Sequence, residues 1–210
     1  MAAEAVKCSF EIHTPRLMLR TATLADVETY HKQRTAPETH PFGGVEGEGS
    51  LEKTQSTVEK LIEKTAQGET AFLIWTLRET GEAIGYGGYN YFKNVNATEF
   101  LRKDGTEAVE KRMTEPGLTI DHRYWRKGFG LEIVCGMVEY AFSDLDCELI
   151  LFETDLVNEP FRSLMRAAGM EKLEKKTVDE DGEEIWSWRF DRDGWVAARE
   201  GMQNCKKWPL

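Results

Sequence analysis

The chain has 210 residues, of which 40% are hydrophobic and 30% charged, the balance of an ordinary globular domain large enough to bury a core without staples. Lys plus Arg number 27 against 37 Asp plus Glu, and the net charge of -10 argues against affinity built on neutralising nucleic-acid phosphates. Four dispersed cysteines without a CxxC pair fit neither a zinc site nor a disulfide scaffold, no window reaches the roughly 18 apolar residues of a membrane span, and the first residues lack a secretory leader, so a cytoplasmic protein with no metal and no membrane partner is expected.

In chain order, Leu17 to Thr21 reads as a strand and Thr23-Leu24-Ala25-Asp26 as the start of a helix. The stretch 41–50, PFGGVEGEGS, is a glycine-rich acidic loop carrying Glu46 and Glu48, and Ser50 caps a second helix running to about Gln67. Thr70 to Leu77 and Ala83 to Phe92 form a hairpin around Glu79-Thr80-Gly81-Glu82. Asn94 to Glu115, polar and without a clean period, reads as an excursion before a short strand, Gly117 to Ile120. From Gly130, apolar residues at spacings of three and four mark an amphipathic helix to about Ser143. Leu149-Ile150-Leu151-Phe152 is a central strand, Glu159 to Ala168 a helix stopped by Gly169, and Thr177 to Ile185 a hairpin with Asp181-Gly182 at its tip. Residues 193–210 read as a tail, with Trp195 and Trp208 docking on the body formed by 1–192 or in an oligomer contact.

The informative segment is IDHRYWRKGFGLE, Ile120 to Glu132, a basic glycine-rich turn between a strand and a long helix. The first amides of a helix lack intrahelical partners and sit at the positive end of its dipole, so the main chain of Lys127, Gly128, Phe129, Gly130 and Leu131 suits a diphosphate. Arg123, Arg126 and Lys127 add positive potential in an acidic chain. The same glycine pair also suits a plain strand-to-helix turn. GxxxxGK[ST] and GxGxxG are both absent, which excludes a P-loop and a dinucleotide fingerprint.

TPRLMLR at Thr14 to Arg20, AIGYGGY at Ala83 to Tyr89, YWRKGFGLE at Tyr124 to Glu132 and NEPFRSLMRAAGM at Asn158 to Met170, in this order, resemble the GNAT acyltransferases, and within them the ribosomal-protein N-terminal acetyltransferases. The resemblance implies an α/β (α+β) acyl-CoA N-acyltransferase fold: a mixed, mostly antiparallel sheet of about seven strands, splayed at the middle and flanked by about four helices. It also implies acetyl-CoA as acyl donor, its pantetheine arm along Leu118, Thr119 and Ile120, its pyrophosphate on Arg126 to Leu131, and its arm against Asn158. Phe161 stands near the sulfur where relatives carry Ser or Tyr, so no side chain is assigned to protonate the thiolate.

Acyl transfer to an amine of pKa near 10 requires a proton acceptor. Asp121 and His122, directly after the strand, and Glu115 before it are the candidates, while amides near Thr119 and Ile120 suit the oxyanion. Tyr86, Tyr89 and Tyr91, alternating with Gly87, Gly88 and Asn90, read as one face of a strand: a packing row, or a wall beside the acceptor amine with the glycines leaving room. Glu46 and Glu48 suit attraction of a cationic amine or simply a solvated loop. His13, His31 and His40 show no ligand spacing and read as surface or loop residues. The expected activity is N-acetylation of a primary amine, on a small molecule or a protein N-terminus, by direct transfer in a ternary complex. A non-catalytic CoA-binding or interaction module, and transfer of a longer acyl chain, are the alternatives. A monomer and a homodimer are equally compatible.

Overall fold

The first strand begins only three residues before the TPR motif, and the chain then alternates between sheet and helix almost to its end. The computed structural model describes residues 9–42, 49–102, 108–179 and 181–210. Within them lie eight strands: β1 (Glu11–His13), β2 (Leu17–Thr21), β3 (Ala71–Leu77), β4 (Ala83–Asn96), β5 (Glu110–Ile120), β6 (Leu149–Asp155), β7 (Glu174–Val178) and β8 (Glu184–Asp191). The helices are α1 (Val27–Thr35), α2 (Leu51–Ala66), α3 (Ala97–Phe100), α4 (Phe129–Asp144), α5 (Glu159–Ala167) and α6 (Arg192–Asn204). Hydrogen-bonded neighbours follow the order β1-β2-β3-β4-β5-β6-β8-β7. The β1-β2, β2-β3, β3-β4, β6-β8 and β8-β7 pairs are antiparallel, and β5 meets β6 in parallel at Met113↔Leu149 and Thr114↔Ile150. This is the mixed, mostly antiparallel sheet of the acyl-CoA N-acyltransferase fold, with one strand and two helices more than the sequence indicated.

The additions have local causes. β1 holds three residues, too few for a period. β4 runs on to Asn96 and β5 begins at Glu110, so both ends of the polar stretch read as an excursion are strand; Lys93, Asn94 and Glu110 face solvent, which explains the missing apolar signal. Most of the segment 193–210, read as a tail, lies in α6, whose buried Trp195, Ala198 and Met202 recur at spacings of three and four.

The residues group into two compact units, Met1–Phe92 with Gly117–Ile133, and Lys93–Pro116 with Val134–Leu210. In the first, Leu17, Leu19, Leu73, Trp75 and Ile84 are fully enclosed. Ala22, Val27, Tyr30, Val58, Phe72 and Ile74 form a second apolar layer beneath α1 and α2, with Tyr86 packed against it. In the second unit, Phe190 stacks on Phe152 and on Trp195, whose indole N–H donates to Glu139 at 2.7 Å, and Trp208 lies 5.9 Å from Trp195 ring to ring. Trp195 thus packs between β8 and α4, with Trp208 beside it.

Tyr86 and Tyr89 do not share a face. They are three residues apart in a structure of period two: Tyr86 pairs with Ile74 and meets Tyr30 edge-on at 4.6 Å, whereas Tyr89 pairs with Ala71, is buried, and lies near Phe10 and Phe92. Tyr91, half-buried, follows two residues further on. Gly87 and Gly88 leave no room for a ligand either. A Cβ on Gly87 would lie 2.1 Å from the Gly117 carbonyl oxygen, and one on Gly88 would lie 1.7 Å from that of Ala71, at φ +136°. The pair admits β4 between its neighbours. Gly88→Ala is expected to destabilise the fold by more than about 2 kcal/mol. Gly81→Ala, at φ +74° with open space around it, should cost about 1 kcal/mol. Chemical denaturation of the two variants checks the contrast.

Candidate functional site

The turn before α4 owes its shape to two residues in the left-handed region, Arg126 at φ +61° and Gly128 at φ +81°. That backbone presents Phe129, Gly130 and Leu131 as the first turn of the helix, whose amides have no intrahelical acceptor. A Cβ on Gly128 would touch only an Arg16 guanidinium nitrogen at 3.4 Å, so the space over the turn is open. Arg126 and Lys127 are exposed, and the Lys127 ammonium lies 4.9 Å from the Tyr124 ring centroid.

The turn is held from below by a group the sequence reading passed over. Glu132, in the first turn of α4, is almost completely buried, and its carboxylate accepts from Thr14 Oγ1 at 2.6 Å, Arg16 N at 2.7 Å and Arg16 Nε at 2.6 Å. The same guanidinium donates to the Lys127 carbonyl at 2.9 Å and lies 4.4 Å over the Phe129 ring. The TPR motif thus reaches across the sequence to both sides of the glycine turn. The only sequence hint was a carboxylate on the otherwise apolar flank of a helix.

Leading into the turn, Ile84 O accepts from Asp121 N at 2.9 Å and the Trp75 indole donates to Thr119 O at 3.1 Å. Thr119 and Asp121 therefore face β4, and by alternation the amides of Leu118 and Ile120 face the other edge of β5. The Ile120 carbonyl accepts from the Trp125 indole at 2.6 Å. Of the amides suggested for an oxyanion, Ile120 has the favourable direction and Thr119 does not.

Asp121 is buried and caps the turn that follows, accepting from Arg123 N at 3.0 Å and from its guanidinium at 2.6 Å. Burial pushes its carboxyl up, but the Arg123 guanidinium and amide, helped by His122, outweigh this and hold it below the usual carboxylate range. His122 is exposed, with Nδ1 at 3.3 Å from Thr39 Oγ1. His40, read as a loop residue, is half-buried, with Nε2 at 3.3 Å from the Tyr86 hydroxyl. Glu46 and Glu48 lie outside the described residues.

In the second unit, Asn158 Oδ1 caps α5 by accepting from Phe161 N at 3.1 Å, while its amide donates to Thr154 Oγ1 at 2.9 Å. Phe161 packs on Phe152 and Trp188 at 6.1 and 5.9 Å. Glu115, on β5, acts electrostatically on Glu153, whose carboxyl is raised chiefly by burial and further by Glu115. Among the described residues no group of His, Cys, Asp and Glu could hold a metal ion, and no helix is long and apolar enough to cross a membrane.

Comparison with known proteins agrees with this architecture. The acetyltransferase (GNAT) domain family matches residues 16–171, and the chain belongs to that family of acetyltransferases, which use acetyl-CoA. It is 26% identical over 163 residues, 77% of this chain and 82% of the relative, to the uncharacterised N-acetyltransferase YoaA of Bacillus subtilis. The fold resembles Mycobacterium smegmatis RimJ in complex with CoA-disulfide at TM-score 0.67 and 14% identity, over 95% of this chain and 94% of that one. It also resembles a spermidine N-acetyltransferase SpeG chimera from Vibrio cholerae and hSSAT at TM-score 0.65 and 14% identity, over 86% and 98%.

Removing the carboxylate with Glu132→Ala takes the acceptor from the Arg16 amide and Nε and one acceptor from the Thr14 hydroxyl. The expected loss is about 2 to 3 kcal/mol. That corresponds to a Tm lower by roughly 5–10 °C for a chain of this size, measurable by calorimetry.

Proposed function

We propose that this acetyltransferase moves the acetyl group of acetyl-CoA directly to a primary amine within a ternary complex. The observation that carries the reading is the turn at Arg126 to Leu131: a helix start with unpaired amides, open space over Gly128, exposed Arg126 and Lys127, and a buried clamp that fixes it. Such a site is matched to a diphosphate by both dipole and charge. Its preorganisation limits the entropy lost on binding. Along β5, the outward amides of Leu118 and Ile120 suit the peptide-like pantetheine arm, which adds to an edge as a strand does. The Ile120 amide is the oxyanion donor of choice, since it faces that edge while its own carbonyl is already satisfied by Trp125.

Of the three sequence candidates for the proton acceptor, Asp121 is the poorest. Its oxygens are occupied by Arg123, and a carboxylate held low in pKa is a weak base. Phe161 offers no proton to a departing thiolate, so water or a more distant group supplies it. Proteins of similar fold include a ribosomal L7/L12 α-N-protein acetyltransferase and a spermidine N-acetyltransferase chimera, which supports an amine acceptor without choosing between a protein N-terminus and a small molecule. A CoA-binding module without turnover is the second reading, favoured by the packing role of Phe161 and the engaged Asp121.

Calorimetric titration with acetyl-CoA is expected to give micromolar binding. Gly128→Glu should remove it while the protein still unfolds cooperatively, because the variant puts a carboxylate in the diphosphate's place and adds only about 1 kcal/mol of left-handed strain. Full affinity in a folded Gly128→Glu protein would refute the proposed cradle. Acetyl transfer to any of spermidine, glucosamine or a peptide with a free N-terminus separates the enzyme from the module.

A further inference from the structure

The sequence placed His40 with the unremarkable loop histidines, but the fold puts it into a cluster of its own. Tyr86 leaves β4 on the α1 side and lies edge-on to Tyr30. Its hydroxyl meets His40 Nε2 at 3.3 Å and is acted on by the Thr119 side chain, one residue from the Ile120 amide proposed for the oxyanion. The Gln33 backbone, in α1, acts on the imidazole from its own side. Thr39, its chain neighbour, is buried and holds His122 through Oγ1. The ring thus meets Tyr86 of β4 at Nε2, beside the strand where the thioester is proposed to lie.

The geometry points to His40 as the proton acceptor for the amine, with the Tyr86 hydroxyl relaying the proton from the β5 edge to Nε2. The inference rests on the acetyltransferase reading above and assigns the base that Asp121 cannot supply.

The electrostatics agree with the direction of transfer. Burial, together with the charge of Arg34 on α1, pushes His40 below its ordinary value against the opposing pull of the Gln33 backbone, so the ring is neutral at pH 7. Burial and the neighbouring Tyr30 push the Tyr86 hydroxyl up to about 12, so it stays protonated and donates to Nε2. The groups facing His40 are thus Arg34 and Tyr30 from α1 and Tyr86 from β4, with Glu38 in the preceding turn and His122 reached through Thr39. In the transfer, an ammonium proton passes to the Tyr86 oxygen as the tyrosine proton passes to His40, leaving a free amine. Its lone pair forms the N–C bond at the thioester carbonyl, and the C–S bond then breaks with its electrons on sulfur. The second nitrogen proton, passed on through water, ends on the thiolate, and the imidazolium returns its own to solvent. Because the fold disfavours the charged ring, rate falls on the acid side as pH drops through the His40 pKa, below the usual histidine range.

The test uses the full-length protein. His40→Gln keeps a partner for Tyr86 but cannot take a proton. It should lower kcat at least 10-fold, abolish the acid limb of the pH profile, and leave acetyl-CoA affinity by calorimetry unchanged. Tyr86→Phe removes the donor that favours the neutral ring, so the limb should move to higher pH. With only four histidines in the chain, imidazole NMR identifies the His40 signal by its loss in His40→Gln. In the unmodified protein that signal should titrate below pH 6.5 and shift on saturation with acetyl-CoA. A His40→Gln enzyme with the original kcat and acid limb overturns the proposal. If acetyl-CoA binds but no tested amine turns over, a His40 signal indifferent to acetyl-CoA overturns it, whereas a shifted, low-titrating signal supports it. Failure of acetyl-CoA to bind at all removes the acetyltransferase reading and this inference together.

Discussion

The carboxylate of Glu132 is buried at the start of a helix, where the chain offers it three donors from a segment more than a hundred residues earlier. A buried charge is tolerated only when its oxygens are satisfied, and here Thr14 and Arg16 satisfy it with one hydroxyl, one amide and one guanidinium N–H. The consequence reaches beyond stability. Arg16 has a second nitrogen on the Lys127 carbonyl and its plane on Phe129, so the interaction that satisfies Glu132 also fixes the turn between Arg126 and Phe129. The first amides of α4 are held in place by this clamp, ready for the anion proposed to bind there.

From that point the rest of the site follows by strand alternation. β5 enters the turn with Thr119 and Asp121 tied to β4, which turns Leu118 and Ile120 to its other edge. Asp121 then spends its charge on Arg123 and the turn amide, a structural duty that makes it a poor base. The same face of β4 that packs Tyr86 beneath α1 brings its hydroxyl to Thr119 and to His40. The proposed cradle, the proposed oxyanion amide and the proposed proton relay are thus three outcomes of how β4, β5 and the α4 turn pack, rather than three separate inventions.

The glycine turn was legible because its information is local: basic residues and small residues at a helix start state their chemistry within a dozen positions. The strand-helix order was legible for a similar reason, since β2, β3, β6 and α4 carry clean apolar periods. What escaped was non-local or aperiodic. Glu132 looks like any helical glutamate until Arg16 is seen beside it. His40 sits in a connecting segment with no period to read. The tyrosines of β4 were miscounted onto one face because the Gly87-Gly88 doublet separates Tyr86 from Tyr89 by an odd number of positions. α6 hid behind its charged residues, only three of its apolar side chains being buried.

The central claim is that the backbone amides from Lys127 to Leu131 receive the diphosphate of acetyl-CoA. It is tested most directly by following the amide resonances of the isotope-labelled protein through an acetyl-CoA titration. The account predicts large, saturable shifts at Gly128, Phe129, Gly130 and Leu131, accompanied by Leu118 and Ile120. Saturation of the protein with those six amides unmoved would contradict it.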